Sequence, residues 1–168
     1  MGREPGADHS SVDDARGGAL VEVAIAFPLL ALLLFGLIEF GMFINHNISG
    51  SHGVREGARQ AVVANYSGGG SCAGSPNARI VCFTKDRIGL DTVAVQVLIP
   101  NGVAIGNELV VCASTPTASV TGLMQAFLPK FSHAETKMRI EQLPPAGQSL
   151  VAGGDAALAG DNWSWCTP

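Results

Sequence analysis

One stretch decides what this chain can fold into: residues 16–44, RGGALVEVAIAFPLLALLLFGLIEFGMFI. Residues 23–38 carry no charge. Extended to Ala19 and Ile44, the apolar run reaches roughly 26 residues, against the about 20 that a helix rising ~1.5 Å per residue needs to cross a bilayer. Only Glu22 and Glu39 interrupt it, and on one helix these lie ~25 Å apart along the axis. That spacing sets one carboxylate near each membrane interface and leaves the centre uncharged, where a charge is most costly. A secretory signal peptide removed whole fits less well. The apolar block exceeds the about 7–15 residues of such a segment, the preceding residues are net acidic, and no small-x-small cleavage site follows. Pro28 removes the backbone hydrogen bond to the carbonyl of Ala24. A kink or loosened turn is expected there, tolerated in lipid where neighbours re-satisfy the freed group.

Residues 1–17, with Asp8, Asp13, Asp14 and no aromatic, read as a disordered leader. Beyond the span, Ile44, Ile48, Val54, Ala58, Ala61 and Val62 recur at helical steps, so the helix is expected to continue to about Ala64 with an apolar stripe. Gly50 and Gly53, among Asn45, Asn47, Ser49 and Ser51, weaken that stretch and suggest a hinge just outside the bilayer. Arg55, Glu56 and Arg59 fall on its polar side. Residues 67–70 end the helix and open a glycine-rich loop reaching to about Asn77.

The pattern then shifts towards period two. Residues 79–83 form a short apolar run. Val93, Val95, Val97 and Ile99 alternate with polar or small neighbours, and Pro100, Asn101 and Gly102 supply a turn. Leu109, Val111 and Ala113 form a partner strand carrying Cys112. Residues 120–128 are apolar and stop at Pro129, reading as a helical turn or a loop packed on membrane or partner. In the last strand Ala134, Thr136, Met138 and Ile140 face one way, and His133, Glu135, Lys137, Arg139 and Glu141 the other. Residues 143–159 contain Pro144 and Pro145 and read as a linker, and a Trp163/Trp165/Cys166 end follows it. The fold class is therefore α+β, a long N-terminal transmembrane helix continuing into a small antiparallel sheet domain with the helix stripe laid across the sheet. The segments are 1–17 leader, 18–65 helix, 66–142 domain and 143–168 linker and tail.

With 10 Lys plus Arg against 14 Asp plus Glu, the chain offers no electrostatic case for nucleic acid. Its four cysteines, Cys72, Cys82, Cys112 and Cys166, all follow the span, which suggests two disulfides in an oxidising compartment. Three pairings are open. A bridge from Cys72 to Cys82 across the glycine-rich loop leads, and Cys166 is expected to staple the tail back, with Cys112 one candidate partner. Residues 70–74, GSCAG, spell a nucleophile-elbow pattern around Cys72, but neither the strand before it nor the helix after it is expected. His9, His46, His52 and His133 are scattered and no paired Cys-x-x-Cys exists, so no metal, cofactor or small-molecule substrate is expected. Arg3 and Arg16 before the span balance Arg55 and Arg59 after it, so positive charge does not choose the orientation.

The run RGGALVEVAIAFPLL followed by GLIEFG, with Gly17, Gly18, Glu22, Pro28 and Glu39 in place and Arg55, Glu56, Ala58 and Arg59 in the helical continuation, resembles the N-terminus of TadE-like proteins. These are minor pseudopilins of tight-adherence (Flp-type, type IVc) pilus systems in bacteria. The segment AETKMRIE also looks like the last strand of such domains. The resemblance implies a pilin-like arrangement and a non-catalytic role in pilus assembly. It implies cytoplasmic cleavage by a prepilin peptidase between Gly17 and Gly18, which makes Gly18 the first mature residue and Glu22 the fifth. The sixth is then Val23 rather than the Tyr of the major pilin, which argues against the filament's main subunit. Implied partners are the membrane, the peptidase and other pilus-assembly proteins and pseudopilins, with the N-terminus in the cytoplasm and the domain outside. Independently of the family, an α-ammonium at Gly18 near the bilayer edge needs a carboxylate within reach, and Glu22 is one helical turn away. The alternative reading is a single-span membrane-anchored extracellular binding domain with no pilus role.

Overall fold

The structure is a computed structural model that describes residues 10–66, 72–117, 119, 121–122 and 125–168, the backbone alone for 10–17. Helix α1 spans Ser10–Val62 and α2 Pro76–Ile88; the strands are β1 Ala94–Leu98, β2 Glu108–Pro116, β3 Phe131–Arg139 and β4 Gly153–Gly154. All strand pairs are antiparallel, in the order β3-β2-β1-β4. The α+β class and the helix-on-sheet packing agree with the sequence reading. Residues 1–9 of the expected leader lie outside the described residues, and the backbone of 10–17 continues α1. Once a long apolar helix exists, each added residue forms a hydrogen bond without a new nucleation cost.

The C-terminal part of α1 is the spine of the domain. Val54, Ala58, Ala61 and Val62 are buried with Leu109, Val111 and Ala113 of β2 and Val95 and Val97 of β1. The expected hinge at Gly50 and Gly53 is instead a packing surface. A Cβ at Gly53 would lie 2.2 Å from Ile88 Cγ1, one at Gly57 2.0 Å from Thr84 Oγ1, and one at Gly50 3.4 Å from the Cβ of Ala134. Glycine there lets α2 and β3 approach the α1 backbone, and helix continuity is kept by the contacts this permits. The helix ends with Ala64 at φ 52° and the Asn65 N–H donating to the Gln60 carbonyl at 3.0 Å, a Schellman-type stop. Beyond it, Glu141 and Gln142 donate their N–H groups to the Val62 carbonyl at 2.9 and 3.0 Å.

Helix α2 stands where a loop and a short apolar run were expected. Ser75 caps it by accepting the Ala78 N–H at 3.3 Å, Pro76 occupies its first turn, and Gly89 closes it at φ 68° with its N–H on the Lys85 carbonyl. These are start and stop signals of a helix. Ile80, Val81, Thr84 and Ile88 turn inward. The contiguous run 80–83 concealed that face, because helix and strand are indistinguishable in four adjacent apolar residues.

The tail is no free linker. Leu150 is buried in the main core, and β4 pairs with β1 through Gln96↔Gly154 and Val97↔Gly153. Gly154 is fitted to this approach, since a Cβ there would stand 2.2 Å from the Val95 carbonyl oxygen. Asp155 accepts the Val95 N–H and pairs with Lys85 Nζ, each at 2.8 Å, and returns its own N–H to the Val95 carbonyl. The strap then crosses the sheet face opposite α1, where Val110 and Cys112 pack with Trp163, Trp165 and Cys166. Thus β2 is buried on both faces. Disulfides join Cys72 to Cys82 and Cys112 to Cys166. With separations of 10 and 54 residues, loop-closure entropy gives about 3 and about 4 kcal/mol respectively. Such staples suit a domain with a small core.

Candidate functional site

The surface that sets this chain apart is the N-terminal half of α1. Between Leu20 and Phe40 every Leu, Ile, Val and Phe is exposed, from 43% at Phe35 to 75% at Leu29. An apolar surface of this extent is not left to water in a soluble monomer. Gly18–Val62 is long and apolar enough to cross a membrane, and its most apolar window is wholly unburied by the rest of the chain. Helix α1 runs through Pro28 without a break in its assignment. Around that proline Val23, Ala26, Phe27, Leu29, Leu30 and Leu33 line a shallow groove with no polar surface.

Glu22 lies at the N-terminal end of this surface. It is exposed, and no hydrogen bond or ion pair joins it to another described residue. Gly18 is exposed too, with nothing within 4 Å of the position a Cβ would take. The backbone of Gly17 and Gly18 lies within α1. The structure therefore places Gly17, Gly18 and Glu22 within about a turn and a half of one another and brings no other described element to them.

Glu39 is different in kind. The sequence treats it as a carboxylate at the point where the helix leaves the membrane; in the structure it is 3% exposed. The loop between β2 and β3 reaches back across it. Ser119 Oγ donates to Glu39 Oε1 at 2.8 Å, the Thr121 N–H at 2.9 Å, and the Thr121 hydroxyl donates to the same oxygen. Ser119 Oγ in turn accepts the Gly122 N–H at 2.8 Å. A carboxylate in the apolar part of a helix is thus supplied with donors by a segment about 80 residues away in sequence. No local pattern announces such a pairing; the only sequence signal is a Ser/Thr-containing stretch, 117–121, in an otherwise apolar loop.

Under the strap, Asp161 joins two strands. It accepts from Ser114 Oγ of β2 and meets His133 Nε2 of β3 at 3.1 Å. The His133 ring stacks on Trp165, centroids 4.1 Å apart. Burial opposes ionisation of Asp161, but the hydrogen bonds from Ser114, the Asn162 N–H and His133, with the charge of the imidazole, outweigh it and hold the carboxyl below its usual range. Serine, histidine and aspartate meet here, yet the carboxylate lies between the other two. The imidazole makes no hydrogen bond to the hydroxyl, so this is not the order in which a histidine activates a serine. The sulfur of Cys72 is tied to Cys82. A helix does follow the GSCAG pattern, contrary to the sequence reading, but it serves to carry Cys82. Residues 67–71 of that loop lie outside the described residues; its ends are joined by Arg79, whose guanidinium donates to the carbonyls of Gly74 and Tyr66, each at 3.1 Å.

These features define a class: a membrane-spanning-capable helix whose second half is the core helix of a disulfide-bonded α+β domain. Residues 17–59 match the family model described as TadE-like protein, the family whose motif the residues from Gly17 to Arg59 resemble. The match covers the bare half of α1 and most of its buried half. No curated protein and no solved structure matches the chain.

Proposed function

We propose that this chain is a minor pseudopilin-like, non-catalytic subunit in the assembly of tight-adherence pili. The observation that carries the reading is the division of α1 within the matched segment: one half offers nothing but apolar surface and Glu22, the other is fixed in a rigid domain. A subunit of this form inserts by the bare half and presents the domain to neighbours. Cleavage between Gly17 and Gly18 by a prepilin peptidase frees an α-ammonium one helical turn from Glu22. In lipid that ammonium requires a carboxylate, on its own chain or on the subunit it docks against. Exposure of Glu22 and its lack of a partner among the described residues support its use between chains. The two disulfides support a domain on the oxidising side of the membrane, with the N-terminus in the cytoplasm.

The test is the intact mass, without reduction, of membrane-extracted protein from cells with and without the cognate prepilin peptidase. The reading expects a peptidase-dependent loss of residues 1–17 and a mass deficit matching two disulfides. A chain that keeps its leader in both cells would leave a single-span anchored binding domain with no pilus role.

A further inference from the structure

The β2–β3 loop points at the membrane. Strand β3 runs alongside α1 in the same direction: Ser132 Oγ donates to Asn47 Oδ1, Ala134 packs at Gly50, and the chain just past β3 meets the Val62 carbonyl. The start of β3, and the loop that feeds it, therefore lie at the end of the domain nearest the bare half of α1. The β1–β2 turn, carrying the exposed Ile105, lies at the far end. At the loop's base the Thr117 N–H donates to the Lys130 carbonyl at 2.9 Å, and its chain extends beyond that closure to Glu39.

Depth follows from arithmetic. With the run 19–44 centred on the bilayer, Glu39 is about 11 Å from the midplane, inside the about 15 Å half-thickness of the hydrocarbon. Water is scarce there, and Ser119 and Thr121 supply donors to Glu39. A loop that solvates a carboxylate at that depth is itself at that depth. Its second half, from Gln125, is suited to lipid. Gln125 Oε1 accepts the Ser119 N–H at 3.1 Å, folding the loop back on itself, and two residues on Phe127 is 80% exposed, more than any other large apolar side chain described.

We infer that the described part of the β2–β3 loop makes a second membrane contact, with Phe127 inserted among the acyl chains of the leaflet on the domain side and Ser119 and Thr121 acting as the polar lining for Glu39. The inference rests on α1 spanning the bilayer. Its consequence is mechanical. One span alone lets the domain swivel; a span and a loop held to it at Glu39 set the sheet upright, with the β1–β2 turn directed away from the membrane.

All cysteines among the described residues are in disulfides, so an introduced cysteine provides a single thiol for a nitroxide. Full-length protein carrying Phe127→Cys, Leu30→Cys or Ile105→Cys is labelled and reconstituted in phosphatidylethanolamine/phosphatidylglycerol vesicles. Relaxation by oxygen, which partitions into lipid, is compared with relaxation by a water-soluble nickel chelate. The expected result is a severalfold higher oxygen-to-nickel ratio at 127 and 30 than at 105, with Ala126→Cys, an exposed neighbour, following 127. Oxygen preference at 30 with water-like behaviour at 127 overturns the loop's insertion and leaves the span standing. Water-like behaviour at all three sites overturns the span and the inference together. Spin–spin broadening at 127 without oxygen preference assigns the loop to a second copy of the chain and overturns the lipid contact.

Discussion

The two halves of α1 are built from one continuous helix and differ in almost everything that surrounds it. Residues 20–38 leave every Leu, Ile, Val and Phe exposed among the described residues. In residues 50–62 the inward face, Gly50, Gly53, Val54, Gly57, Ala58 and Ala61, is enclosed by α2 and the sheet. The difference teaches that helix propensity and hydrophobicity do not decide which part of a helix belongs to a protein core. Small side chains allow backbones to approach; large ones all round leave room only for lipid. The two carboxylates repeat the contrast. Glu22 has no partner among the described residues, whereas Glu39 is enclosed by the Ser119/Thr121 loop.

The contrast can be broken from the domain side first. Replacing Cys112 and Cys166 by Ser removes the longer staple and is expected to cost about 4 kcal/mol. Chemical denaturation followed by the fluorescence of Trp163 and Trp165 reads it, while membrane insertion is unchanged. Next, Gly57→Val drives a side chain into Thr84 and is expected to cost about 3 kcal/mol. Gly36→Val, at a position with nothing within 4 Å, shifts the same transition by under about 0.5 kcal/mol. Equal effects at the two glycines would erase the distinction between the halves. Glu39→Ala leaves the donors of Ser119 and Thr121 without their acceptor and is expected to cost about 2 kcal/mol, read in the same denaturation and as faster proteolysis at the 117–130 loop.

The acid response of the strap is smaller. The carboxyl of Asp161 is held below its usual value, so the folded state binds its proton less readily than the unfolded chain does. Its contribution is present above the unfolded pKa of about 3.9 and is lost as pH falls through the lower folded value. Asp161→Asn is expected to flatten the loss of stability below about pH 4; an unchanged acid limb would remove Asp161 from the account. Smallest of all, Leu30→Ala is expected to leave domain stability within about 0.5 kcal/mol.

Much of this was legible because it is local. The span follows from an uninterrupted apolar run, the faces of β3 from strict alternation between Ala134 and Ile140, and the continuation of α1 from the stripe at Val54, Ala58 and Ala61. What stayed hidden depends on distant partners. Gly53 and Gly57 show only a missing side chain, and whether that marks a hinge or a close contact is decided by Ile88 and Thr84. Residues 80–83 conceal a helix face by being apolar on all sides, although Ser75, Pro76 and Gly89 mark both ends. The strap at Gly153–Gly154 has almost no side chains with which to declare a strand. Glu39 takes its donors from residues 119 and 121, and only folding brings them together.

The measurement that bears most directly on one helix in two environments is thiol labelling in spheroplasts with a membrane-impermeant maleimide. It uses full-length Leu30→Cys and Ser51→Cys; Ser51 lies on the exposed side of the domain half of α1. The account predicts that Ser51→Cys is labelled without lysis and that Leu30→Cys stays unlabelled until the bilayer is dissolved. Labelling of Leu30→Cys in intact spheroplasts, or of Ser51→Cys only after lysis, would contradict it.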